Sequence, residues 1–213
     1  KDAPVVPYDV IALNVDLLGE LIRDFRRDGA EAVAICATAA LRRAQNRGDF
    51  IGAAREILGV EVELLSGREE AALTFAGAIS GYEIYPNERV GVMDIGGGST
   101  EVIEGRGANP VQSSSLDVGA VYLTNEFFKD DPPPPESVMA LRESLRARLP
   151  QLLNNLRGNH MPWMLVGGTP VTLAMLQRGL WRYDPSAVGG SLLNVDDVER
   201  LATAFSGKHS EEL

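Results

Sequence analysis

The part of this sequence best suited to chemistry is the segment 94–101, which reads DIGGGSTE. Its three successive glycines predict a backbone that bends back with positive φ angles and presents unhindered N–H groups to an anion. Hydroxyl groups follow directly, so the predicted phosphate donors are Gly96, Gly97, Gly98, Ser99 and Thr100. The alternative is a β-hairpin whose turn merely contains many glycines, but a plain hairpin needs one or two glycines and no buried aspartate.

Carboxylates flank this turn on both sides. Asp94 ends the strand-like run that precedes the turn, and Glu101 lies on the returning strand. A carboxylate beside a phosphate cradle can hold Mg²⁺, usually through water. We therefore predict that Mg²⁺, or another divalent cation, binds at Asp94 with Glu101 next to it.

A second pair of glycines occurs where a strand-like run over 163–166 meets a helical pattern. Gly167, Gly168 and Thr169 would place a phosphate or nucleotide at the positive N-terminus of that helix. A tight turn, with Thr169 as the N-cap and Pro170 at the first helical position, accounts for the same residues without a ligand. The presence of both turns in this order favours a phosphate site.

Two further strand-to-helix junctions carry charged side chains. Glu69 and Glu70 open a helical pattern, where one carboxylate is expected to face a cleft; a solvated acidic first turn is the alternative. Thr38 precedes a helix with two adjacent arginines, and Arg42 or Arg43 can clamp a phosphate with two parallel hydrogen bonds. Solvated surface arginines are the alternative there.

The elements that position these residues follow from apolar periodicity. A helix over 11–27 is predicted to be amphipathic, with a stripe formed by Leu13, Leu17, Leu18, Leu21, Ile22 and Phe25. The apolar run 30–38 predicts a strand buried on both faces, with Cys36 as a buried thiol. Helical and strand patterns then alternate as α-β-α-β-α up to residue 80, before a hairpin over 90–104 and a last helix capped by Asn194. This order predicts an α/β fold.

Composition excludes several classes of protein. The chain has 213 residues, of which 45% are hydrophobic, and a formal net charge of −10. These values predict a folded protein that does not collect nucleic acid. The apolar runs are too short or too interrupted for a membrane helix, and the N-terminus has no secretory pattern, so the prediction is a cytoplasmic protein without membrane partners.

Five segments in order resemble the exopolyphosphatase and guanosine pentaphosphate phosphohydrolase family of the actin-like ATPase (sugar kinase, Hsp70 and actin) superfamily. They are residues 37–42, 65–71, 94–101, 116–124 and 166–169. By resemblance, Glu70 is the glutamate that activates the attacking water, although Glu69 is an alternative alignment. Asp94 then holds the cation with Glu101 beside it, and the two glycine turns grip phosphate. Thr38 and Arg42 also match phosphate-binding positions.

The resemblance also implies a fold and an activity. The fold is ribonuclease H-like, with two lobes and a cleft between them, and we place the lobes at 1–87 and 88–213. The family's first phosphate turn has no counterpart before Lys1, and its closing elements have none after the last helix, so we expect an incomplete first lobe and a truncated end. The implied reaction is hydrolysis of the terminal phosphate of polyphosphate or of guanosine pentaphosphate, and a homodimer is implied as well. The alternatives are a non-catalytic regulator that binds these phosphates and a kinase or ATPase of the superfamily.

Overall fold

The computed structural model describes residues 4–153, 161–206 and 208–209. The chain divides into two compact units, Lys1–Glu70 and Ala71–Leu213. The lobe boundary that the sequence suggests, between residues 87 and 88, stays a prediction about the family's lobes. In the described part of the chain, none of the helices is long and apolar enough to cross a membrane.

The first unit alternates helices and short strands as predicted. Its elements are α1 (Tyr8–Arg27), β1 (Ile35–Ala37), α2 (Ala39–Arg43), α3 (Arg47–Leu58) and β2 (Val62–Leu64), and helix α4 (Gly67–Ile79) begins in it. Strands β1 and β2 pair in parallel, with Cys36 opposite Glu63. Both strands therefore run into the helices that follow them at the same end of the sheet.

Helix α1 buries a face that shares only Ile22 and the half-buried Leu18 with the predicted stripe. Ile11, Val15, Gly19 and Ile22 are its buried residues, whereas Leu13, Leu17, Leu21 and Phe25 are 41–68% exposed. The helix is apolar over a wide arc, so periodicity alone does not determine which side packs inward. Gly19 belongs to the buried side because a Cβ there would lie 3.1 Å from Leu58 Cδ2, which brings α1 close to α3.

The predicted strand over 30–38 is mostly irregular, and only Ile35–Ala37 forms β1. Cys36 is exposed, so its prediction as a buried thiol is wrong. Ile35 and Ala37 pack against the core of the unit, and Cys36 points to the opposite face because side chains alternate along a strand. Residues 44–46 separate α2 from α3.

The second unit is built on a four-stranded sheet in the order β5-β4-β3-β6. Strands β3 (Arg89–Ile95) and β4 (Thr100–Arg106) form the predicted antiparallel hairpin, β5 (Asn109–Leu116) extends it, and β6 (Trp163–Val166) runs parallel to β3. The helices are α5 (Ala120–Phe127), α6 (Pro135–Leu153), α7 (Gly168–Gln177), α8 (Pro185–Val188) and α9 (Val195–Phe205). The side chain of Asn194 caps α9 as predicted, accepting a hydrogen bond from the Asp197 N–H at 2.8 Å.

The rest of α4 covers one face of this sheet. Its apolar side chains pack with the central strands in a core formed by Ala71, Phe75, Ile79, Val90, Val92 and Ile103. Phe75 is fully buried, and its ring packs directly against Gly105. A Cβ on Gly105 would lie only 2.0 Å from this ring. The centre of the sheet is thus rigidly packed, and the hairpin turn projects from its end.

Candidate functional site

The turn between β3 and β4 is fixed through its carbonyl groups. The backbone N–H of Gly96 donates to Ser99 O at 3.1 Å and closes the hairpin. The carbonyls of Gly96 and Gly97 accept hydrogen bonds from the N–H groups of Ala120 and Tyr122, both at 2.9 Å. The first turn of α5 therefore holds the glycine turn in place.

The remaining N–H groups of the turn are available to a ligand. Among the described residues, the N–H groups of Gly97, Gly98 and Ser99 donate to no backbone carbonyl. None of the three glycines has a positive φ angle, which corrects the prediction. Close packing accounts for two of the glycines, since a Cβ on Gly97 would lie 3.2 Å from Val121 Cγ2 and one on Gly96 would lie 3.3 Å from Ser99 O, whereas a Cβ on Gly98 would meet nothing within 4 Å.

Gly119 is a residue of the site whose role the sequence reasoning missed. A Cβ at this position would lie 2.3 Å from the backbone carbon of Gly97 and 2.4 Å from its oxygen. Only glycine allows α5 to begin so close to the turn. The signal was present in the sequence, because Gly119 lies in the segment 116–124 that resembles the family.

The second glycine turn lies directly beside the first. Gly167 has a φ of 94°, and a Cβ on it would lie 2.4 Å from Asp94 Oδ1. Gly167 is also the N-cap of α7, which has no side-chain cap and begins at Gly168. The alternative with Thr169 as the N-cap and Pro170 first in the helix is therefore wrong, and the start of α7 is left open to an anion.

A cavity of about 420 Å³ opens where these elements meet. Both glycine turns and the first turns of α5 and α7 contribute to its wall, which is formed by Gly96, Gly97, Ala120, Val121, Gly168, Thr169, Thr172 and Leu173. The N-terminus of a helix carries a partial positive charge. The cavity can therefore attract an anion, although its lining among the described residues includes no basic side chain.

Asp94 and Glu101 are direct partners across the β3–β4 ladder, so both side chains lie on the same face of the sheet. Ser115 Oγ donates to Glu101 Oε1 at 2.7 Å. No group of three or more His, Cys, Asp or Glu side chains suited to a metal occurs in the described part of the chain. Two carboxylates fit Mg²⁺ when substrate phosphate oxygens and water complete its shell.

Thr100 has a partner within the protein. Its hydroxyl donates to Val118 O at 2.9 Å, and the residue is 6% exposed. The bond ties β4 to the segment that leads into α5. Ser99 lies within the turn, whereas Thr100 is the first residue of β4. Because the Thr100 hydroxyl already donates to Val118 O, this contact competes with its predicted donation to phosphate.

The first unit brings Arg42 and Glu70 together. Nη1 and Nη2 of Arg42 each lie 3.3 Å from Glu70 Oε2, and Nη1 also donates to the carbonyl of Leu65. Thr38 precedes α2, and its carbonyl accepts the Arg42 N–H at 2.9 Å. The phosphate-binding roles of Thr38 and Arg42 stay predictions.

Glu69 forms part of a capping box. Its Oε2 accepts the N–H of Ser66 at 2.8 Å, while the Ser66 hydroxyl accepts the N–H of Glu69 at 3.3 Å. The hydrogen bonds from the side chain and backbone of Ser66 lower the pKa of Glu69. Glu69 thus serves the start of α4, and the choice of Glu70 as the catalytic glutamate stays a prediction.

Comparison with known proteins places the chain in a family. The family profile of the Ppx/GppA phosphatase family covers residues 6–212. Exopolyphosphatase 2 of Mycobacterium tuberculosis is 34% identical over 178 residues, which is 78% of this chain and 55% of that protein. The chain thus spans about half the length of this curated relative.

Two solved structures give the same result. The Aquifex aeolicus PPX-GPPA enzyme superposes with a TM-score of 0.79 at 32% identity, over 98% of this chain and 68% of that one. An exopolyphosphatase-like protein superposes with a TM-score of 0.86 at 26% identity, over 98% and 66% of the two chains. The fold is accordingly α/β, ribonuclease H-like, of the actin-like ATPase type. On the profile match and these relatives, the chain belongs to the Ppx/GppA phosphatase family.

Proposed function

We propose that the protein hydrolyses terminal phosphoanhydride bonds, with inorganic polyphosphate, guanosine pentaphosphate or both as substrate. The observation that carries the proposal is the cavity of about 420 Å³ at the two glycine turns and the starts of α5 and α7. Its backbone donors suit a chain of phosphates, and membership of the phosphatase family supports hydrolysis. A cytoplasmic location and a homodimer stay predictions.

Phosphate binding is assigned to the backbone. The N–H groups of Gly97, Gly98 and Ser99, together with the open start of α7 at Gly168 and Thr169, supply donors at fixed positions. Such preorganised donors stabilise the charge on the transferred phosphoryl oxygens without reorganising during the reaction. This explains how a protein with a net charge of −10 binds a polyanion locally.

Hydrolysis is assigned to Glu70 as the base that orients and deprotonates water. The water oxygen attacks the terminal phosphorus in line, the bond to the bridging oxygen breaks, and Glu70 takes the proton of the water. The bridging oxygen leaves with its electron pair on the shortened chain. The products are orthophosphate and a chain that is one phosphate shorter.

Asp94 and Glu101 are assigned to a divalent cation, Mg²⁺ in the simplest case. When bound, the cation would neutralise charge on the substrate phosphates. The hydrogen bond from Ser115 fixes one oxygen of Glu101, which leaves its other oxygen for a water of the cation's shell. Asp94 is held against the backbone of Gly167.

Phosphate release tests the proposal. The purified protein is assayed with Mg²⁺ on polyphosphate and separately on guanosine pentaphosphate, as wild type and as Glu70→Gln. Release by the wild type and its loss in the variant, with binding retained, are expected. Release that the substitution leaves unchanged contradicts the role of Glu70, while tight binding with no release by either protein favours the non-catalytic regulator. Transfer of phosphate to an acceptor other than water favours the kinase.

A further inference from the structure

We infer that Arg42 is a positioning residue for Glu70 rather than a ligand of the substrate phosphate. The inference rests on the proposed function, because it concerns the carboxylate to which hydrolysis is assigned. Arg42 and Glu70 are both partly buried, with 33% and 21% of their side chains exposed. Their contact is therefore shielded from water more than an ordinary surface ion pair.

The guanidinium of Arg42 joins two groups of the first unit. One is the carbonyl of Leu65. Leu65 is the residue directly after β2, and it is 7% exposed. The N–H of Leu65 in turn donates to Ala37 O at 2.9 Å, so this carbonyl belongs to the rigid end of the parallel strands. The other is Glu70 Oε2, which accepts from both terminal nitrogens.

This arrangement fixes one oxygen of the carboxylate and leaves the second. In the described part of the chain, the hydrogen bonds and ion pair of the Glu70 side chain all involve Oε2. Oε1 can therefore accept a proton from water while Oε2 holds the carboxylate plane. A planar fork is suited to this task, because its donors are fixed relative to one another.

The start of α4 does not need Arg42 for its stability. Ser66 and Glu69 already cap it, since the Ser66 hydroxyl accepts the N–H of Glu69 and Glu69 Oε2 accepts the N–H of Ser66. The contact between Arg42 and Glu70 therefore determines the orientation of one side chain rather than the formation of the helix. The edge of the guanidinium formed by Nη1 and Nη2 faces Glu70, so a phosphate held by that edge would have to displace the carboxylate.

The test compares Arg42→Gln and Arg42→Lys with wild type in steady-state phosphate release, and measures polyphosphate binding by calorimetry. We expect kcat of Arg42→Gln to fall about 10²-fold, because a misplaced catalytic group costs this much. KM and the dissociation constant should change by less than about threefold, since binding in the ground state is unaffected. Added guanidinium ion should restore part of kcat, and Arg55→Lys, at an exposed ion pair with Glu61, is the matched control.

A double-mutant cycle separates positioning from a merely structural role. If Arg42 acts through Glu70, the Arg42→Gln/Glu70→Gln protein releases phosphate as slowly as Glu70→Gln alone. Additive losses, or a rise in KM and dissociation constant of tenfold or more with kcat unchanged, overturn the inference. Those outcomes leave the proposed function intact as long as wild type is active and Glu70→Gln is not; an inactive wild type overturns both.

Discussion

The two groups of candidate residues use different parts of the chain for chemistry. In the first unit, Arg42 and Glu70 are proposed to act through side chains, which charge and the Leu65 carbonyl hold in place. In the second unit, the turn at 96–99 is proposed to act through backbone N–H groups, and its neighbours Gly119 and Gly167 leave room for it by having no side chain. Substitutions that change the chemistry of a side chain at constant size should therefore damage the first group. Substitutions that add a side chain at a glycine should damage the second.

This difference separates two functions that a loss of activity alone would not distinguish. A backbone cradle binds phosphate in the ground state and in the transition state, so its damage should appear in affinity. A carboxylate that activates water acts only during the reaction, so its loss should appear in kcat. The predictions that follow are ordered by the size of the expected effect.

The largest effect is expected for Glu70→Gln. This change keeps the size of the side chain and removes its ability to take a proton, so kcat should fall by about 10²–10⁴-fold while polyphosphate still binds. Phosphate release under saturating substrate measures it. Glu69→Gln is the matched control and should keep nearly full activity, because Gln can also serve a capping box. A larger loss for Glu69→Gln than for Glu70→Gln would reverse the assignment of the two carboxylates.

A smaller effect is expected for Asp94→Asn, which removes the charge assigned to the divalent cation. The Mg²⁺ concentration for half-maximal release should rise by about 10–100-fold, the range seen when the surroundings of a metal are damaged. A titration of activity with Mg²⁺ measures the change. Glu101→Gln should also raise the Mg²⁺ concentration for half-maximal release, but by a smaller factor. An unchanged Mg²⁺ requirement in Asp94→Asn would place the cation elsewhere.

Steric damage to the cradle should weaken binding. A methyl group at Gly119 would enter the backbone of Gly97, and overpacking of this kind costs about 1–3 kcal/mol. Gly119→Ala should therefore bind polyphosphate about 5- to 150-fold more weakly by calorimetry. Gly77→Ala is the matched control, because a Cβ on this exposed helical glycine meets nothing within 4 Å and binding should not change. Equal affinities in the two variants would show that the α5 contact does not shape the cradle.

The smallest effect concerns pH and the capping box. The folded-state pKa of Glu69 lies below its ordinary value of 4.5, so its contribution to stability is present above pH 4.5 and is lost as the pH falls through the lower folded pKa. The melting temperature of Glu69→Ala should lie a little below that of wild type at pH 7. The difference should shrink as the pH falls below 4.5, and a difference that grows in acid would contradict the capping role.

The sequence predicted the hairpin, the α-β-α-β-α order and the family because glycine runs and short apolar strands are local signals. It did not predict the buried face of α1, since the helix is apolar on two sides and only the partner α3 selects Ile11 and Val15. The contact of Arg42 with Leu65 also escaped prediction, because it joins residues 23 positions apart. The capping box, by contrast, could be predicted from the sequence, because Ser66 and Glu69 have its spacing.

The central claim is that Glu70 serves the reaction and the glycine turn serves binding. Its most direct test measures both polyphosphate affinity and phosphate release for Glu70→Gln and Gly119→Ala in parallel. We predict that Glu70→Gln binds like wild type and does not turn over, while Gly119→Ala binds weakly and keeps a measurable kcat at saturation. Loss of affinity in Glu70→Gln, together with intact affinity in Gly119→Ala, would contradict the account.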